Sequence, residues 1–307
     1  MKQSIISSPQ FHNEESAYEY VESMLWPDGP VCPHCGGMEN SKKMQGKSTR
    51  IGLYKCYDCR KPFTVKIGTI FEDSHVALRL WLQAVFLISS SKKGFSANQL
   101  HRTLGVTLKT AWFMGHRIRE AMREGAFVPF GENGGIVESD ETFIGFEPGM
   151  PVKRGYGHKL KVLSLVDRDS QNARSMVVDD ISAKTLYPIL EENIKKEAHM
   201  MTDDAGQYRH LCGHFAEHDV VCHSQGEYVN PFNNEIHTNT VEGFFSIFKR
   251  GMKGVYQHCK KDHLHRYLAE FDFRYNSRTA KGIDDTQRAE KLLKGVVGRR
   301  ITYETAN

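Results

Sequence analysis

IVESDETFIGF (136–146), KLKVLSLVD (159–167) and RSMVVDD (174–180) are three short runs rich in Ile, Val, Leu and Phe, separated by turn residues. That pattern predicts β-strands. HMMTDD (199–204) predicts a further short strand that ends in carboxylates, and residues 182–197, 240–250 and 262–274 have helical spacing. Three successive strands followed by alternating helix and strand fit a mixed α/β layer architecture. One residue stands out: Asp140 lies inside an otherwise strand-like run, where a carboxylate is disfavoured.

Outward from this core the pattern changes. Residues 14–25 predict a helix that stops at Trp26-Pro27-Asp28-Gly29-Pro30, and Val31 to Ile67 is turn-rich. Residues 76–90 predict a strongly apolar helix, 96–104 and 107–124 two more, and GENGG (131–135) a linker. After Arg278 the chain is basic and poorly patterned. The 307 residues suggest two domains with a small extra module, and 39% apolar with 25% charged residues exclude wholesale disorder. The longest uninterrupted apolar run is Ala84 to Ile88, far short of the ~20 residues that a membrane-spanning helix needs. The N-terminus lacks the apolar stretch of a signal peptide, so a cytoplasmic location is expected. A net charge of +4 is too small to name a nucleic-acid partner by itself.

Four of the seven cysteines form Cys32-Pro33-His34-Cys35 and Cys56-Tyr57-Asp58-Cys59, a C-x2-C-x20-C-x2-C pattern. Two intervening residues let both thiolates of a knuckle face one ion, and four thiolates close a tetrahedral structural zinc shell. A segment without a core needs such a staple. With four thiolates present, His34 is expected to be exposed. Cys212, Cys222 and Cys259, with His210, His214, His218 and His223, match no compact zinc motif and are taken as core or surface residues. Lys42, Lys43, Lys47, Arg50, Lys55, Arg60, Lys61 and Lys66 stand against only Glu39 and Asp58, with Tyr54, Tyr57 and Phe63 among them. A basic ribbon of this kind suits phosphate contact, or is simply a solvated face.

Ser96 to Ala111 has the rhythm of a helix-turn-helix, broken at Gly105 with Thr107 placed to cap the next helix. The second helix carries Lys109, His116, Arg117, Arg119 and Arg123. An ordinary helical hairpin has the same rhythm. Further on, Asn239, Glu242, Ser246 and Lys249 form a polar stripe opposite Val241, Phe244, Phe245 and Phe248. Asp140, Asp203 and Glu242, from two strands and a helix, could share one pocket, where hard oxygen ligands select Mg²⁺ or Mn²⁺. Each has a plainer reading. Asn239 with Glu242 makes a capping box, Asp203-Asp204 caps a turn, and Asp140 points to solvent.

The ordered motifs CPHCG (32–36), YKCYDCRKPFTVKIGTIFEDS (54–74), ESDETFIG (138–145), MTDDAGQY (201–208), HTNTVEGFFSIFKRGMKG (237–254) and YLAEFDFRYNSR (267–278) resemble those of DDE-type insertion-sequence transposases. The group is the ISXO-two-like one, with an N-terminal zinc ribbon. The resemblance implies an α/β, RNase H-like mixed-sheet catalytic core, preceded by the zinc ribbon and a helix-turn-helix-like segment. The expected domains are 1–67 (helix and ribbon), 68–130 (helical DNA-binding segment), 131–280 (catalytic domain) and 281–307 (basic tail). It implies Asp140, Asp203 and Glu242 as the carboxylates that bind Mg²⁺ or Mn²⁺, with Asp204 and Asn239 as competitors for the second and third places. Lys249, Arg250, Lys253 and Arg117 are then expected on DNA, and zinc on the cysteines. The implied activity is Mg²⁺-dependent cleavage at the element's terminal repeats, releasing a 3′-OH that attacks target DNA, with at least a dimer holding two ends. The alternative is a zinc-ribbon DNA-binding regulator, or a transposase remnant without catalysis.

Overall fold

A computed structural model describes residues 4–123 and 128–301. Two compact units emerge, one from residues 1–123 with 279–307 and one from residues 124–278.

In the first unit, the Asn13 side chain accepts from the Ser16 amide and starts helix α1 (Glu14–Leu25). The ribbon follows as three short antiparallel strands, β1 (Ser41–Lys43), β2 (Tyr54–Cys56) and β3 (Pro62–Phe63), in that spatial order. Its apolar cluster is small: Cys32, Cys56 and Phe63, with Trp26 and Tyr54 against them. Helix α2 (Leu78–Ser90) is buried along Leu78, Trp81, Leu82, Val85 and Ile88. Helix α3 (Ala97–Leu104) is capped by Ser96 and ends at Gly105, whose φ of 67° is the left-handed conformation that glycine adopts without strain. Thr107 then accepts from the Thr110 amide and starts α4 (Leu108–Ala121). The two helices and the turn lie where the sequence places them.

The second unit is built on a five-stranded sheet. Its strands are β4 (Ile136–Ile144), β5 (Leu160–Asp167), β6 (Asn172–Val178), β7 (His199–Asp203) and β8 (Glu217–Val221), with α5 (Ala183–Asn193) between β6 and β7. The spatial order is β6-β5-β4-β7-β8. The first three strands run as an antiparallel meander, β7 pairs parallel to β4, and β8 pairs parallel to β7. Helices α6 (Asn239–Gly251) and α7 (Lys261–Asn276) complete the unit. Residues alternate across β5: Val162 and Val166 join a core with Phe244, Phe248 and Phe271 of α6 and α7, while Leu163 and Leu165 join one with Leu186 and Leu190 of α5. The sheet is thus covered on both faces.

Two expectations change, and one strand is new. GENGG is no linker: Gly131, at φ 77°, donates to Asp167 at 3.0 Å, and a Cβ there would lie 2.3 Å from that of Ala198. The segment after residue 280 is no bare tail. Asp284 and Gln287 form a reciprocal capping box that starts α8 (Asp285–Lys294), and its Leu292 and Leu293 are buried in the first unit. The short, polar β8 is absent from the sequence reading, because EHDVV has too few apolar residues to show an alternation. Among the described residues no helix is long and apolar enough to cross a membrane.

Candidate active site

The register of β4 and β7 decides which acids meet. Glu138 pairs with Met201 across the parallel ladder, so these two side chains share a face. Two residues on, Asp140 and Asp203 share it again, and Asp204 turns away. Asp204 is exposed, and its carboxylate accepts from the Ser224 hydroxyl, which holds its pKa below the usual carboxylate value.

The shared face is the one that α6 covers, and Glu242 enters from that helix, half-buried. Its Oε1 lies 3.1 Å from Nε2 of His223 and 3.3 Å from the Thr238 hydroxyl, which donates to it. The capping box of Asn239 and Glu242 does not form. Thr238 is the N-cap and makes no side-chain cap bond, and Asn239 is exposed at the first helical position.

Asp140, Asp203 and Glu242 feel one another's charge. Asp140 is pushed up to about 8, first by burial and then by the negative charge of Asp203, with Glu242 adding to it. Asp203 is raised chiefly by burial, against the lowering effect of the Ala205 amide and the His223 ring, with the charges of Asp204 and Glu242 adding smaller upward pushes. Among the described residues no lysine or arginine pairs with any of the three. Their ligand oxygens do not form a cluster within 4.8 Å of one another; among the described residues only the cysteine quartet does. The three acids are hard donors that repel one another and have no lysine or arginine partner among the described residues, which is the environment a divalent cation neutralises.

Three nearby residues escaped the sequence reading. Glu138 is fully buried and accepts from the Thr240 hydroxyl (2.7 Å), the Val241 amide (2.8 Å) and Arg168 Nε (2.6 Å), so it ties the start of α6 to β4. Glu141, on the opposite face, accepts from the Tyr208 hydroxyl and from Gln207 Nε2 at 2.9 Å. Burial pushes it up to about 7. His223, taken as core or surface, sits against Glu242. Period-two spacing from Asp140 was a signal for Glu138; nothing in the sequence marked His223.

The basic candidates divide. Lys249, Arg250 and Lys253 are exposed along and beyond α6, on the polar side of the helix or next to it. Lys261, from the same run, is bound to Glu147 (2.8 Å) and Asp179 (2.9 Å). Arg117 is not on the surface. It is 4% exposed and donates to the carbonyls of Ile70 (2.7 Å), Glu72 (2.6 Å) and Ile301 (3.0 Å), so it braces the first unit rather than facing DNA. Helix α4 is buried over its second half, and its exposed part is Leu108, Lys109 and Trp112.

In the ribbon, Sγ of Cys32 lies 3.6 Å from that of Cys59, and Sγ of Cys35 lies 3.7 Å from that of Cys56. A tetrahedral ion with Zn–S bonds of ~2.3 Å separates its sulfurs by ~3.8 Å, so the quartet has the dimensions of a zinc shell, not of disulfides at ~2.05 Å. His34 is exposed and lies against the Pro62 carbonyl, outside the shell.

A β6-β5-β4-β7-β8 sheet with an antiparallel first half, carboxylates on the adjacent strands β4 and β7 and one more on the later helix α6 defines a protein of the RNase H-like class. The other unit carries a four-cysteine zinc ribbon. Residues 133–276 match the family model of the ISXO2-like transposase domain, and residues 12–62 match that of the transposase zinc-ribbon domain. The chain belongs to the ISXO2-like insertion-sequence transposases with an N-terminal zinc ribbon. A protein of Halobacterium salinarum, described as an uncharacterized protein in transposable element ISH50, is 28% identical over 280 residues, covering 86% of this chain and 91% of that protein. Among solved structures, a chain of the simian T-cell lymphotropic virus intasome in complex with PP2A regulatory subunit B56 gamma matches at 15% identity and a TM-score of 0.29, over 56% of this chain and 63% of that one.

Proposed function

We propose that this transposase cuts and joins DNA with Asp140, Asp203 and Glu242 as its metal-binding carboxylates. The observation that carries this is the convergence of three acids, distant in sequence, on one face of the unit, where Asp140 is pushed up to about 8 with no basic partner to relieve it. Two Mg²⁺ or Mn²⁺ ions bound there would activate the attacking oxygen and stabilise the leaving one in an in-line displacement at phosphorus. Strand orientation favours Asp203 over Asp204, and charge and burial favour Glu242 over the exposed Asn239.

The chain's own residues supply positioning. Glu138 and Arg168 hold the first turn of α6 to β4, and the Arg168 guanidinium also grips the carbonyls of Glu235 (2.6 Å) and His237 (2.7 Å). That clamp aims Glu242. His223 and Thr238 orient its carboxylate. Lys249, Arg250 and Lys253 are placed to hold phosphates of the terminal DNA, and the basic ribbon and the exposed start of α4 to bind it elsewhere. Water would be the first nucleophile and the freed 3′-OH the second, with at least two copies of the chain joining two ends.

The test is an end-cleavage and joining assay with DNA flanking the element's gene. Asp140→Asn and Glu242→Gln, shown to be folded, should abolish Mg²⁺-dependent nicking and joining. Undiminished activity in either removes that residue from the site. A wild-type protein that binds the ends tightly yet never nicks them would favour the inert remnant.

A further inference from the structure

A cavity of about 240 Å³ lies where the β4–β5 hairpin meets the turn that follows α6, wholly within the second unit. Ile144, Leu160 and Met252 are buried beneath it, and Phe146, 62% exposed, forms an aromatic side. The Phe146 ring lies nearly parallel to the buried His158 ring (5.6 Å between centroids, 19°), so one ring face is backed and the other is free to accept a flat partner. Lys159 and Lys253 also line the cavity. Neither forms an ion pair among the described residues, whereas their neighbours Lys161 and Lys261 are both bound to Glu147. The cavity thus combines an apolar floor, an open aromatic face and two unneutralised cations.

It is also in line with the carboxylate site. Glu242, Ser246, Lys249 and Lys253 follow one another at steps of four, three and four residues, so they fall on one side of α6 and its π-helical continuation at Met252–Tyr256. Eleven residues at ~1.5 Å each place Lys253 ~16 Å from Glu242 along the helix. That is about five stacked steps of a DNA strand at ~3.4 Å each.

We propose that this cavity takes one unstacked nucleotide of the strand that runs from the carboxylates along α6, with the base against Phe146 and its phosphate between Lys159 and Lys253. The space suits one base with its sugar and not a base pair. Two lysines select a phosphate-bearing ligand, and the aromatic face accepts any base. The proposal rests on the carboxylate reading for the path of the strand, and its test is separable from that reading.

Duplexes of the flanking DNA, each with 2-aminopurine at a single position stepped outward and inward from the cut, are mixed with the full-length protein without Mg²⁺. Emission rises when the base leaves its stack. A rise confined to one or two adjacent positions within about five steps of the cut is expected. It should vanish in Phe146→Ala and persist in Phe146→Tyr. The double variant Lys159→Gln, Lys253→Gln should lower the slope of log affinity against log salt by about 1, since both lysines neutralise the same phosphate. Uniform emission along the duplex overturns the proposal, as does a localised rise that survives Phe146→Ala. Asp140→Asn should give the wild-type emission pattern while failing to nick. If nicking proceeds with uniform emission, base capture alone is wrong. If emission is localised but no acid variant alters cutting, the carboxylate reading alone is wrong.

Discussion

Replacing Glu138 tests the link between fold and site. Its carboxylate is fully buried and receives three hydrogen bonds, from Thr240, Val241 and Arg168, at 2.6–2.8 Å. Glu138→Ala strands the amide of buried Val241 and leaves the Arg168 guanidinium, mostly shielded from water, without its acid. Removing one partner of a buried ion pair costs about 3–5 kcal/mol, a large share of a typical total of about 5–15. Glu138→Gln keeps the volume and one accepting oxygen, so its cost should fall to about 1.5–3 kcal/mol, the worth of one hydrogen bond to a charged group. Urea unfolding would measure both. Nicking by the folded fraction should fall in the same order, Ala below Gln below wild type, because Glu138 acts by placing the first turn of α6 and hence Glu242. A Glu138→Ala protein that loses less than about 1 kcal/mol and nicks like wild type would refute the clamp.

Asp140 titrates near 8 in the folded metal-free protein against 3.8 when free, so the native state keeps a proton that the unfolded chain releases in between. Its contribution to stability is complete below about pH 4 and lost as pH rises through about 8, at up to ~1.4 kcal/mol per unit. Asp140→Asn should therefore be more stable than wild type at pH 8–9 in EDTA, by a few kcal/mol in chemical unfolding, and the gap should close toward pH 4. One zinc per chain is expected by metal analysis, and chelation should open residues 31–62 to protease; a metal-free protein with an intact ribbon would contradict the cysteine assignment. Arg117→Leu should cost about 2–4 kcal/mol of stability through its three stranded carbonyls, yet leave the DNA affinity of the folded protein within about twofold. A selective loss of affinity at unchanged stability would restore Arg117 to the DNA surface.

Local signals were enough for much of this molecule. The C-x2-C pairs name their ion because four thiolates at knuckle spacing have few other uses, and the structure brings the sulfurs to the separation of a zinc shell. Gly105 and Thr107 mark a helix-turn-helix rhythm because a left-handed residue and a cap are single-position requirements. The short apolar runs of β4, β5 and β6 mark strands of a mixed α/β layer, and the structure covers both faces of that sheet with helices. Helix α8 was hidden: its buried Leu292 and Leu293 are too few among charged neighbours to announce a buried face.

What the chain alone could not decide were directions. A basic residue on a helix looks the same whether it meets phosphate or, like Arg117, three carbonyls, because its partners come from residues about 45 and 184 positions away. Asp203 and Asp204 are chemically identical neighbours; only the pairing of β7 with β4 turns the first toward Asp140 and the second toward Ser224. Glu138 and His223 gain their roles only when β4, the β8–α6 loop and α6 are brought together. Composition and short-range spacing determine which groups the protein owns, and long-range strand register determines which of them share a site.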